Sequence, residues 1–216
     1  MSAILLAYQS KANKEFLLKK RKLIIILIFS LCLVLASVAK EESIVGLTDH
    51  ELGDQTISIN AGLFVPLPFL EFDGTTHPSN QTLGVAGALQ WNAYLNSLFR
   101  IGLEVGGSIT FGPDTTTFLM MPITVKGTYL LTYDRFEFPL FLGLGGNIVK
   151  YGSGESFYDV ALVVKPGFSA YYRYNSNLSF GLNVIYWWNV ELPATDYDAA
   201  LMGNSIEISP SLFYHF

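Results

Sequence analysis

The chain has 216 residues, of which 50% are hydrophobic, 14% aromatic and 14% charged. Soluble domains carry about 25% charged residues, so this composition is too poor in charge for a wholly water-facing surface. Residues 1–39 hold six basic groups and one acid. The remainder holds seven basic against seventeen acidic groups, ten net negative charges, which argues against nucleic acid as a partner.

Lys19-Lys20-Arg21-Lys22 precedes an apolar run from Leu23 to Val38, closed by the small residues Ala36, Ser37 and Ala39. Basic, apolar and small residues in that order form a secretory signal over 1–39, cut after Ala39 or alternatively after Ala36. The single cysteine, Cys32, lies in the apolar run. A cleaved chain therefore contains neither an intrachain disulfide nor a cysteine zinc site. Residues 40–54 are polar and acidic and read as a periplasmic lead-in.

From about 55 to 216 the sequence alternates with period two in eight segments separated by turn-rich stretches. The first spans about Thr56–Val65, with Ile57, Ile59, Ala61, Leu63 and Val65 on one face. The second covers Thr82–Asn92, and the third Phe99–Phe111. The fourth carries Leu119, Met121, Ile123 and Val125, the fifth Phe136 to Ile148, the sixth Tyr158 to Tyr172, and the seventh Leu178 to Asn189. The eighth is Glu207–Phe216, with Ile208, Pro210, Leu212, Tyr214 and Phe216 opposed to Glu207, Ser209, Ser211, Phe213 and His215. Loops are expected over 71–80, 112–117, 152–156 and 191–205, and short turns near 96, 133 and 175.

The second face chooses between a soluble and a membrane barrel. It is built mostly from Gly, Ala, Ser, Thr and Asn, whereas a solvated face carries Lys, Glu and Arg. Small residues suit a crowded lumen; the large apolar face then meets lipid. The prediction is an all-β, eight-stranded antiparallel up-and-down transmembrane barrel over 55–216, in outer-membrane lipid. Tyr94, Tyr129, Tyr133, Tyr172, Tyr174, Tyr214 and Phe216 read as its periplasmic aromatic girdle. Tyr186, Trp187 and Trp188 read as girdle residues at the outer rim.

Six ionisable residues share the small-residue face: Arg100, Glu104, Lys126, Glu137, Lys165 and Glu207. Isolated ions in a low-dielectric lumen are costly, so they should pair. Arg100 and Lys126 are expected low, near Glu137, with Glu104, Lys165 and Glu207 higher. The set reads as a salt-bridge plug, or alternatively as a gate or ion path.

Other constellations are weak. His50, His77 and His215 fall in the lead-in, a loop and the last strand, with no Ser/His/Asp order around a strained turn, so no enzyme is expected. Gly143-Leu144-Gly145-Gly146 lies inside a strand with no helix after it, which removes the phosphate-loop reading. Asp196 and Asp198 lack the spacing of a complete cation site. No metal or cofactor is expected.

The signal at 19–39, the eight segments and the ending Ser211-Leu212-Phe213-Tyr214-His215-Phe216 together resemble the small outer-membrane barrels of the OmpW and OmpX type, including the barrel part of OmpA. The stretch from Met121 to Tyr151 is most similar to OmpW. The resemblance implies that Leu212, Tyr214 and Phe216 form the signal read by the barrel-assembly machinery after Sec-type export. The apolar exit of the first strand, with Phe64, Leu67 and Phe69, exceeds what the bilayer needs. The OmpW resemblance implies an opening there for a hydrophobic solute; a rigid rim packed on loops is the other reading. The expected function is a barrel that passes or binds small hydrophobic molecules. The alternative is a structural or surface-interaction protein with no transport role.

Overall fold

The computed structural model describes residues 50–71, 75–113, 116–152, 157–191 and 201–216. The signal at 1–39, most of the lead-in, and Asp196 and Asp198 lie outside the described residues. Among the described residues ten strands follow one another: β1 (Gln55–Pro66), the short β2 (Phe69–Glu71) and β3 (Thr76–His77), β4 (Gly84–Tyr94), β5 (Phe99–Phe111), β6 (Thr117–Tyr133), β7 (Phe136–Gly152), β8 (Phe157–Arg173), β9 (Leu178–Glu191) and β10 (Leu201–His215).

Eight of these close into a barrel in the order β1-β4-β5-β6-β7-β8-β9-β10, and β10 pairs back onto β1. Every pairing is antiparallel, and the seam runs from Thr56 opposite His215 to Pro66 opposite Ser205. Closure leaves no open sheet edge in the spanning region, which is the condition for backbone to cross hydrocarbon. β2 and β3 extend the sheet beyond β10, with Leu70 opposite both Met202 and Thr76.

The apolar face points outward. Ile59, Leu103, Ile123 and Leu144 are each more than half exposed, whereas Thr56, Asn92, Thr110 and Asn147 are fully buried. A soluble barrel places its faces the other way round. The wall approaches itself closely in places: a Cβ on Gly145 would stand 1.9 Å from the Ile123 carbonyl oxygen, so that strand crossing admits only glycine.

Local chemistry sets the turns at one end. Asn96 Oδ1 accepts from the backbone N–H of Leu98 (2.8 Å) and Phe99 (2.7 Å), and Asn175 Oδ1 does the same for Asn177 (2.9 Å) and Leu178 (2.8 Å). Asp134, at φ 53°, takes the left-handed position in the Asp134–Arg135 hairpin, a conformation that short polar side chains tolerate. These short turns mark the periplasmic end, where β1 starts and β10 finishes.

The strands run longer than the sequence periodicity suggests. Glu71–Asn80 is not wholly loop, because Glu71 ends β2 and Thr76–His77 forms β3. β9 runs to Glu191 and β10 begins at Leu201, so the expected 191–205 loop is strand at both ends, and 192–200 lie outside the described residues. β4 continues to Tyr94, which places that ring inward with Gln90 and Asn92 and removes it from the girdle.

Candidate functional site

The interior divides into three levels. At the outer end, a cavity of about 260 Å³ is lined by Pro66, Leu67, Phe69, Phe118, Met120, Val149 and Ala161, with Ser79, Gln81, Asn189, Gly203, Asn204 and Ser205 between them. Among the described residues no charged side chain lines it. Leu67 and Phe69 reach this vestibule because β1 ends at Pro66 and the chain turns back onto β10. The Leu67 N–H donates to the Asn204 carbonyl (2.8 Å), and Asn204 Nδ2 donates to the Pro68 carbonyl (3.2 Å).

Phe64 belongs to the level below. It is fully buried and meets the Trp187 ring edge-on, with centroids 5.0 Å apart and planes at 78°. Met120, Val149, Ala161 and Ile185 pack in the same cluster. Trp187 is not a girdle aromatic: its odd position on β9 turns it into the lumen beside Ile185, while Trp188 faces out. A large aromatic inside a small-residue face broke the simple pattern, and only strand parity could have placed it there.

The charged network begins at Trp187. Its Nε1 donates to Glu207 Oε2 at 2.9 Å, and the Lys165 ammonium lies 3.9 Å from its ring centroid. Lys165 donates to Glu104 Oε1 and stands 4.0 Å from Glu207. Lys126 Nζ lies 2.5 Å from Glu104 Oε2, 3.1 Å from Gln90 Oε1 and 4.2 Å from the Phe141 centroid. Asn60 Nδ2 (2.7 Å) and Ser209 Oγ (2.8 Å) both donate to Glu207 Oε1. Two ammoniums and two carboxylates thus satisfy one another under complete burial. Lys126 belongs to this level and not to that of Glu137, because it faces Gly143, which faces Lys165 on the next strand.

Arg100 and Glu137 form a third level, at the periplasmic mouth, with partners that the sequence did not suggest. Glu137 Oε1 lies 3.3 Å from His50 Nε2 and 3.7 Å from Arg173 Nη1. His50 stacks on Tyr94 (3.9 Å) and next to His215 (5.6 Å). Arg100 donates to the Tyr94 hydroxyl at 3.3 Å and lies 5.2 Å from the Phe213 centroid. His50 was legible only as part of a polar lead-in, yet its side chain is 2% exposed. Ser179 Oγ and His215 Nε2 are 2.9 Å apart, and Nδ1 of that imidazole has no hydrogen-bond partner among the described residues. Among the described residues no group of three or more His, Cys, Asp or Glu could hold a metal ion.

A closed eight-stranded wall, apolar outside and polar inside, defines an integral outer-membrane β-barrel of the small OmpX/OmpW type. A protein-family model matches residues 39–214, and the chain belongs to the family that model describes. The fold is similar to that of Neisserial surface protein A, at a TM-score of 0.60 and 13% identity over 75% of this chain and 97% of that one. The Yersinia pestis attachment invasion locus protein Ail aligns at a TM-score of 0.48 and 14% identity, over 77% of this chain and all of Ail. A protein of Treponema pallidum (strain Nichols), described as uncharacterized, is 33% identical over 92 residues, 41% of each chain. The match thus spans about two fifths of that relative's length.

Proposed function

We propose that this outer-membrane barrel binds small hydrophobic molecules in its outer vestibule. The observation that carries the reading is the cavity of about 260 Å³, lined by Leu67, Phe69, Phe118 and Met120 and, among the described residues, by no charged group. An apolar concavity with a few fixed amides is the usual form of a small-molecule site. Passage through the barrel would require Phe64 and Trp187 to part, since both are fully buried at its floor. The barrel-assembly machinery would recognise Leu212, Tyr214 and Phe216 after Sec-type export. No catalytic step belongs to the proposal.

The test is a titration of purified barrel in lipid nanodiscs with naphthalene, read by quenching of tryptophan emission. Saturable quenching that weakens about tenfold in Phe69→Arg supports the reading. Quenching that only tracks partition into the lipid, equal in both proteins, overturns it. The filled lumen favours a second reading, a structural or surface-interaction barrel without transport. Planar-bilayer recordings separate the two: a barrel that conducts only after Phe64→Ala has a closed but usable path, whereas one that stays silent is a solid anchor.

A further inference from the structure

The polar groups of the vestibule are not spread evenly around it. Phe118 and Met120 come from β6, Val149 from β7 and Ala161 from β8, whereas Asn189, on β9, and Ser205, on β10, share the other side. β10 stands four strands from β6 in the eight-stranded closure, so Ser205 lies across the barrel from Met120. Asn189 pairs with Gly203 and Ser205 with Trp187, which makes Asn189 and Ser205 diagonal neighbours on the inner face. They form a polar corner beside the Trp187 ring at the cavity floor.

Hydrogen bonding sets this corner apart. The nearby Asn204 is engaged at both ends: its Oδ1 accepts from the Tyr186 hydroxyl, and its Nδ2 donates to the Pro68 (3.2 Å) and Met202 (3.0 Å) carbonyls. Asn189 is engaged at one end, where its Oδ1 accepts from Asn147 Nδ2 at 2.7 Å. That bond fixes the amide plane. Asn189 and Ser205 are both buried, yet Asn189 Nδ2 and Ser205 Oγ have no hydrogen-bond partner among the described residues. Unlike the sealed Asn147 Oδ1, both atoms keep open surface, on the cavity that their residues line. A donor held by its other half and left open on an apolar cavity is placed to meet an acceptor carried in by a ligand.

We infer that the ligand preferred here is an uncharged apolar carbonyl compound, a small ketone or aldehyde, whose oxygen accepts from Asn189 Nδ2 and Ser205 Oγ while its hydrocarbon part lies against Phe118 and Met120. The inference rests on the vestibule being a binding site for small hydrophobic molecules. Among the described residues no charged group lines the cavity, so an ionised ligand would enter without a counter-ion. A plain hydrocarbon would strip water from both polar groups and leave them unpaired.

The test sets acetophenone against α-methylstyrene, in which a methylene replaces the carbonyl oxygen, as competitors of naphthalene quenching in the nanodisc barrel. Each concentration is corrected for that compound's partition into empty nanodiscs. Acetophenone should displace naphthalene at about tenfold lower corrected concentration. Asn189→Leu should erase that ratio by weakening acetophenone, with α-methylstyrene bound as well as before or better. Ser205→Ala should lower the ratio severalfold, and it decides if Asn189→Leu fails to give the heat-modifiable folded band. Equal competition in the unaltered barrel would mean that water serves these donors as well as a carbonyl does; the inference then fails while the vestibule stands. A ratio that survives both substitutions would assign the carbonyl to another group, such as Gln81, and also overturns it. Naphthalene quenching that never saturates removes the vestibule reading itself, and this inference with it.

Discussion

The Lys165 ammonium lies 3.9 Å from the centre of the Trp187 ring, so one aromatic side chain joins the apolar floor of the vestibule to the charged lumen beneath it. Trp187 carries three relationships at once: edge contact with Phe64, a cation on its face, and an indole N–H donated to Glu207. Trp187→Phe keeps a ring for Phe64 and Lys165 but removes the donor. Glu207 retains Asn60 and Ser209, so the expected loss is about 1–3 kcal/mol of unfolding free energy. The Trp187 share of the tryptophan emission should be lost too, leaving Trp91 and Trp188, both on the outer face. Reversible urea unfolding with fluorescence detection checks both.

Lys165 is the cation between Glu104 and Glu207. Lys165→Met keeps most of the volume and leaves two buried carboxylates to share Lys126. Removing one partner of a buried pair costs about 3–5 kcal/mol, and the barrel should unfold at correspondingly lower urea. Adding Glu104→Gln to Lys165→Met should recover part of that loss. A double variant as unstable as the sum of the single changes would show that the two residues do not act as a pair.

The wall and the charge set were legible because both follow from period two. Glu207 to Phe216 alternates without a break, and the inward parity of Arg100, Glu104, Lys126, Glu137, Lys165 and Glu207 matches their burial. What parity cannot give is which ions meet. Lys126 and Glu137 both face inward, but pairing depends on strand stagger, and register is a property of two strands, not one. Tyr94 and Trp187 were misassigned for another reason. Aromatic rings at strand ends suggest a girdle, and composition outweighed parity in that reading. His50 lies outside any alternating segment, so nothing local in its sequence indicates that its ring docks in the mouth against Tyr94 and Glu137. The vestibule is an intermediate case: its residues form an excess apolar run, but the bend after Pro66 that turns Leu67 and Phe69 to the cavity is tertiary.

The membrane-facing assignment itself is testable at Leu103, which is 51% exposed on β5 and flanked by Ile101 and Val105. Leu103→Arg places a cation in acyl chains if the outer face meets lipid. The expected destabilisation is about 2–4 kcal/mol near the bilayer midplane. Spontaneous folding into liposomes, followed by the heat-dependent gel shift, measures it. A neutral or stabilising effect would place that face in water.

Phe216 closes the seam: its N–H donates to the Gln55 carbonyl at 3.1 Å, and the Gln55 N–H donates to its carbonyl at 3.2 Å. Deletion of Phe216 removes this pair and the ring that stacks on Tyr214. Export should be unchanged while the heat-modifiable folded fraction in the outer membrane falls severalfold. Pulse-chase with fractionation distinguishes the steps, and normal assembly of the deletion would remove the proposed signal.

His50 sits where the lead-in meets the barrel. Its ring lies between Tyr94 and His215 and takes Glu137 as its hydrogen-bond partner at 3.3 Å. The backbone supports the same docking, since the Tyr94 N–H donates to the Asp54 carbonyl at 2.8 Å and the Gly53 N–H to the Tyr94 carbonyl at 3.0 Å. His50→Ala removes the ring but leaves those bonds in place. Glu137 then depends on Arg173 at 3.7 Å, a longer and weaker partner. The expected cost is about 1–3 kcal/mol from the buried carboxylate that loses its donor. The lead-in should also open more often, because a local element held by fewer buried contacts unfolds below the global free energy. Native-state proteolysis should therefore cut near Glu51–Asp54 several times faster in His50→Ala, with the barrel core still resistant. Cutting at the unaltered rate would mean that the backbone bonds alone hold the segment, and that the imidazole serves only to fill the mouth.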